Sequence, residues 1–377
     1  MNDNPLTRLT RLGQSIWMDF ISRSTVTSGD LARYIEEDAL RGVTSNPTIF
    51  EKAIAHGAEY EAPIRALALQ GKSVAEIYQA ITVEDIQRAT DVFRPQFDRL
   101  EGADGFVSLE VSPRLANDTA GTVAEARRLW AAVDRPNVLI KVPGTRAGLP
   151  AIEQLIGEGI NVNITLLFGL GRYAEVAEAY VAGLEARAAR GLPVRVASVA
   201  SFFLSRIDVM VDAELDSLQK AGKVAGRIAE QLRGQVAIAS ARLAYEMYQQ
   251  FFGAERFRTL AAKGARTQRV LWASTGTKNP AYSDVKYVEA LIGKNTINTV
   301  PLETFDAYRD HGEPALRLDG HADEARALLR TLREAGIDLD AVTQRLEEQG
   351  VQKFIEPYDR LLTLIGERRS AVLRRSA

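Results

Sequence analysis

In the stretch Asn137-Val138-Leu139-Ile140-Lys141-Val142-Pro143-Gly144-Thr145 a single lysine interrupts apolar residues, and Pro-Gly closes the run. A short apolar run ended by turn residues reads as a buried parallel strand with Lys141 near its carboxyl end. An ammonium there is costly unless it is paired or neutral. Lys141 is therefore either a solvated rim residue or a nucleophile that condenses with a carbonyl to form a Schiff base. Other short apolar stretches carry polar residues equally late: Asp19 in Ser15–Phe20, Asn46 at the tip of Gly42–Pro47 and Glu110 in Gly105–Val111. Asn163 and Thr165 fall in Gly159–Phe168, alternating with apolar residues as one strand face does. Ser201 and Arg206 lie at the exit of Val194–Phe203. Each has an ordinary alternative. Asn46 can be a turn residue, the hydroxyls can bond nearby backbone, and Glu110 can be a salt-bridge partner for Lys141. Together they offer a proton donor and acceptor on each side of an imine at Lys141.

The elements that position these residues come from the hydrophobic pattern. Eight short strands alternate with helices; the last three are Val194–Phe203, Gln268–Ser274 and Thr296–Pro301. This predicts a (β/α)8 barrel, the TIM fold of the α/β class, whose chemistry gathers at the carboxyl ends of the strands. A doubly wound open sheet is the alternative, but no GxGxxG or Walker-type loop follows any strand. Ser28 is expected to cap a helix with Leu31, Ile35 and Leu40 on one face and Glu36, Glu37 and Asp38 in solvent. Ser73-Val74-Ala75-Glu76 is a capping box. Two helical segments exceed a minimal barrel, about 208–262 between strands six and seven and a tail at about 323–375. Leu328, Leu332, Phe354, Tyr358, Leu361 and Ile365 are the tail's apolar anchors, and Pro357 is expected to bend or interrupt its last helix. No internal repeat or low-complexity linker divides the chain, so 1–377 is expected to be one domain.

Composition narrows the function class. The 377 residues carry a formal net charge of −2 with both signs interspersed, which argues against nucleic acid or an anionic membrane as main partner. There is no cysteine, so disulfides, thiolate catalysis and Cys-ligated metals are excluded. His56, His311 and His321 are scattered without metal-binding spacing. No apolar run is long enough to span a membrane, and the first residues lack a secretory pattern, so a cytoplasmic protein is expected.

Gly42-Val43-Thr44-Ser45-Asn46-Pro47-Thr48, Ile140-Lys141-Val142-Pro143-Gly144-Thr145 and Gly159 to Phe168 resemble the three signature stretches of transaldolases. The resemblance runs from about Trp17 to Val300, and the extra helices look like the long bacterial form. It implies a class I aldolase mechanism on a (β/α)8 barrel with neither metal nor organic cofactor. The implied reaction moves a dihydroxyacetone unit from sedoheptulose 7-phosphate or fructose 6-phosphate to glyceraldehyde 3-phosphate or erythrose 4-phosphate, in the non-oxidative pentose phosphate pathway. By this resemblance Lys141 is the Schiff-base lysine, and Glu110 and Thr165 hold a catalytic water. Asp19 is the acid/base at the substrate hydroxyl, and Asn46 and Asn163, with Ser201 nearby, hold the dihydroxyacetone hydroxyls. Arg206 is a phosphate-binding arginine, and Phe203 an active-site aromatic.

The loop Ser274-Thr275-Gly276-Thr277-Lys278-Asn279 departs from the pattern. Where many members have a second phosphate-binding arginine, Lys278 stands in as a point charge without Arg's bidentate fork. Phe203 is open to two readings, plain core or a group that restricts water at the imine. Three rivals remain: an aldolase of the same fold that releases free dihydroxyacetone, a pyridoxal-phosphate barrel, and a sugar-phosphate binder with a dead site. A binder has no need of Lys141, Glu110, Asp19 and Thr165 together. The expected partners are sugar phosphates, and the expected assembly is a monomer or homodimer.

Overall fold

The computed structural model describes residues 3–376, with side chains through Arg374. Eight strands run β1 (Gln14–Met18), β2 (Gly42–Val43), β3 (Phe106–Glu110), β4 (Val138–Pro143), β5 (Val162–Leu167), β6 (Ser198–Phe203), β7 (Arg269–Ala273) and β8 (Thr296–Val300). They close a parallel barrel in chain order, β8 pairing back onto β1. The expected barrel is thus the observed one, and the open sheet is ruled out.

Several strands are shorter than their apolar runs. Gly159 has a φ of +93° and caps the preceding helix Gly148–Glu158, so β5 starts later at Val162. Before β6, the Val196 amide donates to the Val194 carbonyl and the Ala197 amide to Asn161 Oδ1. Those donors are spent locally, and the ladder begins at Ser198.

The helix near Ser28 differs from expectation. Ser28 ends a five-residue helix, Arg23–Thr27, and Gly29, at φ +88°, is the N-cap of Asp30–Glu37. The turn between these two helices needs a left-handed residue, which glycine takes without a Cβ penalty. Because the second helix stops at Glu37, Asp38 lies on the turn back toward the barrel. It is fully buried, accepting from Asn4 Nδ2 and Arg309 Nε, each at 2.8 Å, rather than facing solvent. The capping box at Ser73 and Glu76 is present.

The barrel's amino-terminal end is closed by buried Asp104. It accepts from Trp17 Nε1 at 2.8 Å and Ser15 Oγ, and pairs with Arg269 at 3.3 Å. Gly42 allows β2 to lie against Trp17, since a Cβ there would come within 2.5 Å of the indole ring.

The insertion forms helices Ser205–Lys220, Gly226–Leu232, Val236–Gly253 and Glu255–Ala261. The tail forms Ala322–Glu334 and then Leu339–Ser376, which continues through Pro357 without interruption. Tertiary contact holds this last helix to Pro47–His56, Glu61–Leu69 and Val74–Arg99. Arg360 pairs with Glu51, and Arg368 donates to the carbonyls of Ile54 and Ala55 at 3.1 and 3.0 Å. Among the described residues no helix is long and apolar enough to cross a membrane.

Candidate active site

Strand register assembles the core of the site. Glu110 of β3 stands beside Lys141 of β4, Lys141 beside Asn163 of β5, and Pro143 beside Thr165. Laterally paired residues of a barrel share a face, so Glu110, Lys141 and Asn163 form one row, with Thr165 two residues further along its strand. All four are buried.

Lys141 Nζ donates to the Ser45 carbonyl at 2.9 Å and lies 3.3 Å from Glu110 Oε2. The Lys141 side chain is only 5% exposed, which removes the reading of it as a rim residue in solvent. The Phe354 ring, from the last tail helix, is centred 5.9 Å from Nζ. Burial pushes the Glu110 carboxyl up to about 7; the neighbouring Lys141 pulls it back down, and Asp19 adds to the rise. Glu110 Oε2 has its ion pair with Lys141, whereas Glu110 Oε1 and Thr165 Oγ1 are buried with no partner among the described residues, which is uncommon in a protein interior.

Asp19 follows β1, its amide bonded to the Val300 carbonyl at 2.8 Å. Its carboxylate accepts from Thr44 Oγ1 at 2.6 Å, and Thr44 bonds Thr299 Oγ1 at 2.8 Å. Burial raises the Asp19 carboxyl; Lys141, the Thr44 hydrogen bond, Lys278 and Arg206 oppose that rise in decreasing order.

Asn46 caps Pro47–His56, its Oδ1 accepting from the Ile49 amide at 3.1 Å. The turn reading and the site reading therefore both hold a piece of it, because Asn46 also lines the cavity. Asn163 is fully buried, its Nδ2 donating to Ser108 Oγ at 3.0 Å and its Oδ1 accepting from Ser201 Oγ at 2.7 Å. Arg206 is the second residue of the helix after β6. It lies 5.9 Å from the Phe203 ring and makes no hydrogen bond or ion pair among the described residues. Burial lowers its guanidinium from the ordinary value, with Asp19 opposing. Phe203 packs on Phe168, ring centres 5.2 Å apart. Lys278 is exposed at the rim.

A cavity of about 270 Å³ joins these groups at the carboxyl end of the barrel. Asp19, Asn46, Lys141, Thr165, Ser201, Phe203, Arg206 and Lys278 line it, while Glu110 and Asn163 sit behind its wall. Two strand exits at its edge use left-handed backbone on non-glycine residues. Leu166 has φ +61° where the β5–β6 register shifts, directly after Thr165, and Ser274 has φ +54° directly after β7. Such conformations cost of order 1–3 kcal/mol each and persist where packing enforces them.

Sequence reasoning missed four contributors: the Ser45 carbonyl, the Thr44–Thr299 pair, Lys52 and Phe354. Lys52 was within reach. Once Asn46 caps a helix at a strand tip, Thr48, Ile49 and Lys52 project toward the same mouth, and all three line it. Phe354 carried no such signal, since its place depends on the path of the tail. Among the described residues no group of three or more His, Asp or Glu side chains is arranged to hold a metal ion.

Residues 16–365 match the family described as Transaldolase/Fructose-6-phosphate aldolase. The chain belongs to that family. Similar curated proteins share nearly its full length. A transaldolase of Thiobacillus denitrificans is 50% identical over 95% of this chain and 98% of its own. One from Trichodesmium erythraeum is 46% identical over 98% of each chain, and one from Thermobifida fusca 47% over 98% and 99%. The resemblance seen in the three signature stretches is borne out, and with it the expectation of an enzyme of the transferase class in the transaldolase family.

Proposed function

We propose that this cavity carries out transaldolase chemistry through a Schiff base on Lys141. The donor is a ketose phosphate such as fructose 6-phosphate or sedoheptulose 7-phosphate, and the acceptor an aldose phosphate. The observation that carries the reading is the placement of Nζ: buried, 3.3 Å from a carboxyl raised to about 7, in a cavity lined by a second carboxylate and an unpaired arginine.

Attack on the ketone needs the free amine, and Glu110 is placed to take the ammonium's proton. Nζ then bonds the carbonyl carbon to give a carbinolamine. Glu110, with a water held between it and Thr165, passes a proton to the departing hydroxyl, water leaves, and the protonated imine remains. That cation accepts the electron pair of the adjacent carbon–carbon bond. Asp19, held by Thr44, takes the proton of the hydroxyl that becomes the aldehyde. Asn46, Asn163 and Ser201 hold the three-carbon unit, and Arg206 and Lys278 bind the phosphate at the far end. Remote phosphate binding places the reacting carbons and is the cheapest source of orientation in the site. The near-balanced charge and the sugar-phosphate chemistry suit a cytoplasmic enzyme.

Incubation with fructose 6-phosphate and borohydride, followed by mass spectrometry, tests the mechanism. A reduced adduct on Lys141 is expected, and folded protein without one refutes it. The family's description also covers fructose-6-phosphate aldolases. Release of free dihydroxyacetone with no dependence on erythrose 4-phosphate would assign that activity instead.

A further inference from the structure

The tail helix Leu339–Ser376 puts one apolar ring into the catalytic cavity, and a glycine one turn earlier lies close against the end of β5. Gly350 and Phe354 are four apart and share a helix face. A Cβ at Gly350 would stand 3.1 Å from Leu166 Cδ2 and 3.5 Å from Phe168 Cε2. The helix therefore rests almost directly on the exit of β5, where Leu166 takes its left-handed turn. Val351, Leu361 and Ile365 are buried along the same helix, so its seat does not rest on Phe354 alone. Phe354 is 4% exposed, lines the cavity and presents its ring 5.9 Å from Lys141 Nζ.

We propose that Phe354 is a specificity-determining residue that keeps the covalent intermediate from hydrolysis, so that the three-carbon unit reaches an acceptor. The proposal rests on the Schiff-base reading of Lys141. After the first aldehyde departs, the enzyme holds an enamine. Loss of the unit needs a proton on the enamine carbon, which regenerates the imine. Water then adds to the imine carbon, and the carbon–nitrogen bond breaks to give dihydroxyacetone and free Lys141. Water reaches the imine carbon in every turnover, because the product ketose also leaves Lys141 by hydrolysis, so loss is separated from transfer by delivery of that proton to the enamine carbon. The Phe354 ring covers the tail side of the atoms beside Nζ, where a water carrying that proton would stand, and its face also favours a cation at the nitrogen. Phe203 stands on a different element, β6, packed against Phe168, so the two rings wall the site from different parts of the chain.

The experiment measures partition: free dihydroxyacetone against transferred product, from fructose 6-phosphate with erythrose 4-phosphate. Phe354→Ala is expected to raise the hydrolysis-to-transfer ratio about tenfold, while borohydride still traps the Lys141 adduct. Phe354→Met and Phe354→Gln have similar bulk and differ in polarity. The ratio should stay near wild type in the first and rise in the second. If Phe354→Ala does not fold, this pair carries the comparison. An unchanged ratio in Phe354→Gln, or an equal rise in both, overturns the proposal. Failure of wild-type enzyme to form the adduct at all would instead remove the Schiff-base reading beneath it.

Discussion

Replacing Glu110 by glutamine removes one titrating group from the site while keeping its shape. Glu110 is buried, and its carboxyl is pushed up to about 7 from the ordinary glutamate range near 4.5. A gap of roughly 2.5 units corresponds to about 3 kcal/mol. Between those two values the folded protein holds a proton that the unfolded chain has released. Glu110 therefore favours the folded state most below pH 4.5, and that contribution is lost as pH rises through 7. Glutamine does not titrate. The stability of Glu110→Gln relative to wild type should thus increase by about 2–3 kcal/mol between pH 5 and pH 8 and level off above. Urea denaturation of both proteins at four pH values in that range measures it; titrating groups remote from Glu110 cancel in the difference, while Lys141 and Asp19, which interact with it, contribute to the measured change. A difference that stays flat with pH would show that Glu110 is not held in a desolvated setting, and its role as proton acceptor for Lys141 would fall with it. In the same variant the rate of borohydride-trappable imine formation should drop, because carbinolamine dehydration loses its acid.

Other perturbations follow from the geometry. Arg206→Ala removes the guanidinium and should raise KM for fructose 6-phosphate about thirty- to a hundred-and-fiftyfold, as loss of about 2–3 kcal/mol of charge-assisted bonding implies; an unchanged KM assigns phosphate binding elsewhere. Thr44→Val deletes the 2.6 Å bond to Asp19, so the Asp19 carboxyl should rise further and the acidic limb of the pH–kcat/KM profile should move to higher pH. A limb that does not move would separate Asp19 from the rate. Gly42→Ala drives a methyl to within 2.5 Å of the Trp17 ring and 2.8 Å of the Phe106 carbonyl. It should cost on the order of 3 kcal/mol by urea denaturation, and an unshifted midpoint would contradict the packing of β2.

The barrel was legible in the sequence because each strand is a short β-branched or apolar run closed by turn chemistry, and because eight of them alternate with helices. The boundaries were less so. Val194–Ala197 has strand composition, yet Asn161 and Val194 take its amides before a ladder can form. Nothing local announces that competition. Asp38 sits in an acidic run that looks solvated, and only the distant Asn4 and Arg309 make its burial tolerable. The site residues were legible where they end strands, since register alone brings Glu110, Lys141 and Asn163 side by side. The support around them was not. The Ser45 carbonyl is a backbone atom that any sequence provides, and Phe354 reads as one more apolar anchor in an amphipathic helix.

The long terminal helix also sets an order in time. During synthesis β8 leaves the ribosome well before Phe354, so the barrel can close around its lysine while the mouth still lacks that wall. Until the last helix docks on Pro47–His56 through Arg360 and Arg368, the site lacks the Phe354 ring beside Lys141. Maturation of this enzyme is then complete only when its final segment has settled. Conditions that loosen that segment should expose the amine to adventitious carbonyls before they unfold the barrel.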